Sequence, residues 1–209
     1  MTDYTPILVS QNVTVNPATG ERRDSLDQRW IRFLTTCGLL PIPVPNDPAT
    51  AQALIAATIA HGVLLTGGVD LAIYGGNAPE RDSTEERLIR WARTRHRPLL
   101  GVCRGMQKLA THYGAKLVRT DGHAAVDHDI EIDGTIRRVN SYHHWTIDPI
   151  DLPTLFRVTA RAADGGIEAI TATSALIAGI MWHPERREVA DPADVAIVRE
   201  HLLGMACVR

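Results

Sequence analysis

The chain has 209 residues, a formal net charge of -2, 44% hydrophobic residues and 22% charged ones. That length fits one compact α/β domain over residues 1–209, and the near balance of charge excludes a broad electrostatic footprint for nucleic acid or an anionic membrane. A small-molecule partner is the expectation. The amino end, Met1 to Pro6, carries Asp3 and no basic region, and the apolar run Ile7–Val9 is too short for a secretory signal, so a cytoplasmic location is expected. The three cysteines, Cys37, Cys103 and Cys207, are odd in number and lack CxxC spacing, which points to reduced thiols rather than a disulfide framework or a zinc site.

Short apolar runs alternate with helix-period segments, the pattern of a largely parallel sheet covered by helices on both faces. Ile7–Val9 reads as the first strand, followed by a long polar loop from Ser10 to Asp24. Leu26, Trp30, Phe33 and Leu34 recur at helical spacing, with Asp24 or Ser25 as cap and Gly38 as stop. Leu39–Val44 is a strand whose Pro41 and Pro43 suit an edge, and an alanine-rich helix over Pro48–Ala60 follows. Gly62–Leu65 is a strand running into Thr66-Gly67-Gly68-Val69-Asp70, where glycines let the backbone approach a ligand at the strand's carboxyl end. Ser83-Thr84-Glu85-Glu86 has the form of a capping box for a helix reaching about Arg95. Leu99–Val102 is a buried strand that passes abruptly through Cys103-Arg104-Gly105 into an amphipathic helix. From Ala115 to Thr171 the texture changes to hairpins, with turns at Asp133-Gly134 and Asp164-Gly165-Gly166, expected beside the main sheet. Leu176–Trp182 is a last strand ending at His183-Pro184-Glu185, and Pro192–Leu203 is a closing helix.

The glycines of Gly101-Val102-Cys103-Arg104-Gly105 flank the cysteine as in a nucleophile elbow, where a strained turn lifts the reactive atom above a sheet. At a helix start the sulfur meets free amides and a positive dipole end, which favour thiolate. The Arg104 amide and one from Gly67-Gly68 can then share the charge of an oxyanion. His183 is the best placed of nine histidines to activate the thiol and protonate a leaving amine, with Glu185 to orient its ring. Packing or simple exposure accounts for Cys37 and Cys207. His123, Asp127, His128 and Asp129 show no recognised ligand spacing and read as a solvated polar connection; no metal and no cofactor is expected. The run Ser141-Tyr142-His143-His144 offers hydroxyl, ring and backbone donors at one place, and reads equally as aromatic packing at a hairpin end.

TGGVD at Thr66–Asp70, GVCRGMQ at Gly101–Gln107, VNSYHHW at Val139–Trp145, ADGGIEAI at Ala163–Ile170 and MWHPE at Met181–Glu185 together resemble the class I glutamine amidotransferases, in particular their γ-glutamyl hydrolase branch. The resemblance covers about residues 7–185. It implies an α/β fold with a mostly parallel central sheet, a Cys-His-Glu triad at Cys103, His183 and Glu185, and an oxyanion hole from the amides of Gly68 and Arg104. It further implies γ-glutamyl recognition near Gly67, Gln107, Ser141, Tyr142 and His143, with Glu168 at the substrate's α-amino group. The implied reaction releases glutamate through a γ-glutamyl thioester, with no cofactor.

Trp145 stands where a glutamine often follows the two histidines in γ-glutamyl-γ-aminobutyrate hydrolases. The segment RRDSLDQRWIRF at Arg22–Phe33 and MWHPER instead resemble a smaller branch that hydrolyses γ-glutamyl-CDP-amidate in making capsule phosphoramidate. Arg22, Arg23, Arg186 and Arg187, in loops expected near the site, suit bidentate contact with a pyrophosphate. Rival expectations are a γ-glutamyl-γ-aminobutyrate hydrolase, a glutaminase subunit serving a separate synthase, and a non-catalytic binding protein. A homodimer is compatible with all of them.

Overall fold

The computed structural model describes residues 4–204, so Cys207 falls outside the described residues. Its strands and helices are β1 (Thr5–Ser10), β2 (Asn12–Val15), β3 (Arg22–Ser25), α1 (Gln28–Thr36), β4 (Leu39–Val44), α2 (Pro48–Ala57), β5 (Gly62–Leu65), α3 (Pro79–Thr94), β6 (Leu99–Val102) and α4 (Arg104–His112). There follow β7 (Leu117–Arg119), β8 (Ala124–Ile132), β9 (Thr135–Tyr142), β10 (Trp145–Ile147), β11 (Phe156–Ala162), β12 (Ile167–Ala172), β13 (Ile177–Ile180) and α5 (Pro192–Leu203).

A nine-stranded sheet of order β4-β1-β5-β6-β13-β12-β11-β8-β9 organises the molecule. From β4 to β13 neighbours are parallel, and from β13 to β9 they are antiparallel. Covered on both faces, β5 and β6 are wholly buried, which is why they read as continuous apolar runs instead of alternating ones. One face packs Leu8, Val63, Leu65 and Leu99 against α2, α3 and α4. The other sets Ile7, Val9, Leu64 and Leu100 against Trp30, Phe33 and Leu34 of α1 and Val198 and Leu202 of α5. Each fully buried Leu or Ile there contributes roughly 1.5–3 kcal/mol of burial free energy. β4, with its prolines, pairs only with β1 and forms the sheet's edge as expected, because proline has no N–H for a second ladder.

Several expectations are corrected. The stretch from Ser10 to Asp24 is not a loop but holds the β2–β3 hairpin, whose only apolar alternation is Val13 and Val15 against a wholly polar β3. The cap of α1 is Asp27, accepting from the Arg29 amide, in place of Asp24 or Ser25. Helix α3 starts at Pro79, where the missing N–H costs nothing, so Ser83 lies inside it and donates to the Pro79 carbonyl instead of capping. The hairpins β8–β9 and β11–β12 extend the main sheet instead of standing beside it, because β12 pairs antiparallel with the open edge of β13. No helix among the described residues is long and apolar enough to cross a membrane.

Candidate active site

At the carboxyl end of β6 the chain turns sharply at Cys103, whose φ of 51° and ψ of -110° are unfavourable for an L residue. The turn is fixed from both sides: the Cys103 amide donates to the Ile180 carbonyl at 2.8 Å, and the Cys103 carbonyl accepts from the Gln107 amide at 3.1 Å to begin α4. Helix α4 rests directly on β5, and a Cβ on Gly105 would overlap the Leu65 carbonyl. Strand, strained cysteine and helix thus form the elbow that the glycine spacing predicts. Cys37, by contrast, is packed under α1, and burial pushes its thiol up to about 12.

Beyond β13, Asn140 of β9 clamps the backbone of His183: its Nδ2 donates to the His183 carbonyl and its Oδ1 accepts from the His183 amide, both at 2.8 Å. The His183 Nδ1 lies 2.7 Å from Glu185 Oε1, which leaves the other ring nitrogen for Cys103. Burial pulls the imidazole's pKa down, but the charge and hydrogen bond of Cys103, with those of Glu185, outweigh it and raise His183 from 6.5 to about 9. The ring covers the Cα of Gly67 so closely that a Cβ there would overlap its Cε1. Because His183 holds its proton up to about pH 9, kcat/KM for an amide whose leaving group it protonates is expected to fall as pH rises through that value, measured as a pH–rate profile. The same shift stabilises the fold fully below pH 6.5, and that contribution is lost as pH rises through about 9.

Beneath the Thr66–Gly68 loop lies a buried charge network that sequence reasoning missed. Arg81 of α3 is fully buried and donates to the Thr66 carbonyl at 2.7 Å, the Gly67 carbonyl at 3.0 Å and Asn12 Oδ1 at 3.0 Å. Its Nε meets Glu85 at 2.9 Å, and Arg104 pairs with Glu85 and Asp82. Burial and the neighbouring Arg104 lower Arg81 to about 10, although Glu85 opposes them. Burial works against ionising Glu85, yet Arg104 and Arg81 hold its carboxyl below the ordinary value. With its carbonyls tied inward, the Gly67-Gly68 loop is held against the site. The i,i+4 spacing of Arg81 and Glu85 was visible in the sequence, but there it reads as a solvated surface pair.

A cavity of about 430 Å³ opens over Cys103, lined by Gly68, Arg104, Gln107, Tyr142, His143 and His144 among others. Gly67 lines a neighbouring cavity of about 300 Å³ on the far side of His183, with Trp30, Glu185 and Arg186. Gln107 donates to the Trp145 carbonyl at 3.0 Å, and Tyr142 meets the His183 ring edge-on at 5.7 Å. Ser141 is buried, its hydroxyl donating to the His123 carbonyl at 2.6 Å, so it braces the wall instead of facing the cavity. Glu168 is likewise fully buried, with its oxygens toward His123, His128 and His143. The stretch containing His123 and His128 is not a solvated connection: β8 begins at Ala124, and both rings are largely covered. Arg22 pairs with Glu80 and donates to the Asn77 carbonyl at the cavity rim, while Arg23 pairs with Glu21 in solvent. Arg186 stacks over the Tyr142 ring at 4.0 Å. Arg187 donates to the Arg138 carbonyl at 3.0 Å.

The peptidase C26 family profile matches residues 7–185. The chain belongs to this family. Membership gives the elbow and its cavity a chemistry, that of a glutamine amidotransferase-like hydrolase acting on amide C–N bonds. This peptidase C26 chain is 29% identical over 187 residues to the γ-glutamyl-CDP-amidate hydrolase of Campylobacter jejuni, covering 85% of this chain and 88% of that one. It is 32% identical over 173 residues to anthranilate synthase component 2 of Mycobacterium tuberculosis, covering 78% of this chain and 71% of that one. Among solved structures, a glutamine amidotransferase from Thermotoga maritima superposes with a TM-score of 0.61 at 17% identity, over 87% of this chain and 76% of that one, which supports the fold.

Proposed function

We propose that this chain hydrolyses the γ-glutamyl amide of a nucleoside diphosphate amidate, with γ-glutamyl-CDP-amidate as the best substrate. The observation that carries the chemistry is the Cys103 elbow beside a His183 ring that Glu185 holds at 2.7 Å. Cys103 Sγ attacks the γ-carbonyl carbon, and the amides of Gly68 and Arg104 take the developing oxyanion. The C–N bond then breaks and the departing nitrogen takes its proton from His183. Water next adds to the thioester carbon, giving a proton back to His183, and the C–S bond breaks to release glutamate and the free thiolate. The glutamyl moiety lies against Gln107, Tyr142 and His143, which line the same cavity.

The nucleotide half of the reading rests on the Campylobacter relative and on the arginines next to the site. Arg29, Arg32, Arg186 and Arg187 line a groove of about 340 Å³ that includes Glu185. Arg186, stacked on Tyr142 and 3.7 Å from Glu185, joins that groove to the site, while Arg22, Arg23 and Arg29 pair with Glu80, Glu21 and Asp27. Removing one charge-assisted phosphate contact costs about 1.5–3 kcal/mol. Arg186→Ala is therefore expected to raise KM for γ-glutamyl-CDP-amidate by about 10–100-fold while leaving γ-glutamyl-γ-aminobutyrate hydrolysis unchanged, in parallel steady-state assays. Equal losses on both substrates would remove the nucleotide assignment and leave the amide chemistry standing.

A second reading follows from the anthranilate synthase relative: a glutaminase subunit that feeds ammonia to a synthase. That reading requires glutamine turnover that is weak alone and stimulated by a partner.

A further inference from the structure

A second polar cluster sits behind the wall that carries Tyr142 and His143, and of its members only His143 lines the cavity of the proposed hydrolysis. Glu168 of β12 faces His123 Nδ1 at 3.4 Å, His128 Nε2 at 3.5 Å and His143 Nε2 at 3.4 Å. These separations exceed the roughly 2.7–3.2 Å of an N–H···O bond. Those three nitrogens and both oxygens of Glu168 are buried and have no hydrogen-bond partner. Buried polar atoms without partners are rare, and so many converging on one point call for something between them.

The outer ring atoms show what that is. His143 Nδ1 lies 3.0 Å from the Trp145 carbonyl, which only accepts, so Nδ1 carries the proton and Nε2 turns a lone pair inward. His123 Nε2 lies 2.8 Å from Asp164 Oδ2, which leaves Nδ1 in the same state. Neutral rings would thus aim lone pairs at a carboxylate, and protonating all three rings would leave a net charge of about +1 beside Glu168 and Asp164. A cation at the centre resolves both conflicts. Donors on a tetrahedron about 2.0–2.1 Å from zinc stand roughly 3.4 Å apart, close to the separations of Glu168 from His123 and His128. The ligand atoms of His123, His128 and Glu168 lie within 4.8 Å of one another, and imidazoles backed by a carboxylate and a carbonyl are the usual outer shell of such a site.

We propose that His123, His128 and Glu168 bind one divalent cation of the zinc class, with His143 beside them. The ligands come from β8, its approach and β12, so the ion ties the β8–β9 hairpin to β12. None of these three ligands lines the cavity over Cys103, which makes the role structural.

The test is titration of the full chain, stripped with a chelator, by Zn²⁺ calorimetrically and by Co²⁺ through its visible absorption. Expected are one equivalent per chain, four-coordinate Co²⁺ bands without thiolate charge transfer, and loss of uptake in His128→Ala. Asp164 has a side chain 53% exposed, so Asp164→Asn keeps the fold and is expected to weaken binding about 10–100-fold through His123 alone. Cys103→Ala, which removes hydrolysis, is expected to titrate like the parent chain, so the metal and the reaction are tested apart. No uptake of either ion by the parent chain would overturn the proposal. So would uptake that disappears in Cys103→Ala and survives in His128→Ala.

Discussion

Replacing Cys103 with alanine is expected to lower kcat/KM on any γ-glutamyl amide by at least about four orders of magnitude, because loss of the nucleophile in a coupled triad removes nearly the whole covalent route. Binding should survive, since Gly68, Arg104, Gln107 and Tyr142 line the cavity independently of the sulfur. The variant should also stay folded: the turn is fixed by backbone bonds from Cys103 to Ile180 and Gln107, which alanine retains. Substrate affinity measured by calorimetry, alongside turnover, separates the two effects. A residual rate within about tenfold of the parent would mean that Cys103 is not the nucleophile.

The largest stability effect is expected at Glu85. This carboxylate is fully buried between Arg81, whose Nε lies 2.9 Å away, and Arg104. Glu85→Gln removes the charge while keeping the shape, and leaves the buried Arg81 guanidinium without a carboxylate and Arg104 with Asp82 alone. Breaking a buried pair in this way costs about 3–5 kcal/mol. For a chain of this size that corresponds to a fall in Tm of roughly 6–20 °C. Activity should fall too, because Arg81 restrains the Thr66 and Gly67 carbonyls. Thermal unfolding reads the first effect, and an unchanged Tm would show that the network is not a support of the loop.

What the sequence made legible follows from how local the signal is. The buried strands β5 and β6 were readable to the residue, since a run covered on both faces is apolar throughout. The elbow was readable because the Gly101–Gly105 spacing reports a steric need within one turn. His183 and Glu185 were readable through their contiguity. Asn140, which clamps the His183 backbone from 43 positions away, leaves no local trace. Nor does the Arg81–Glu85–Arg104 network, whose members are charged residues that only the packing of α3 against α4 and β5 buries. The β2–β3 hairpin was hidden because its apolar signal is confined to Val13 and Val15 of a four-residue strand, while β3 is wholly polar. His123, His128, His143 and Glu168 were scattered over 46 positions, and only the antiparallel pairing of β8, β9, β11 and β12 gathers them.

The most direct test of the central claim is product analysis by mass spectrometry after incubating the purified protein with γ-glutamyl-CDP-amidate, γ-glutamyl-γ-aminobutyrate and glutamine, each beside the Cys103→Ala variant. Glutamate and CDP-amidate are expected as the fastest-formed products, with a γ-glutamyl adduct on Cys103 after acid quench and neither product from the variant. Glutamate released equally by both proteins, or by neither from all the substrates, would contradict it.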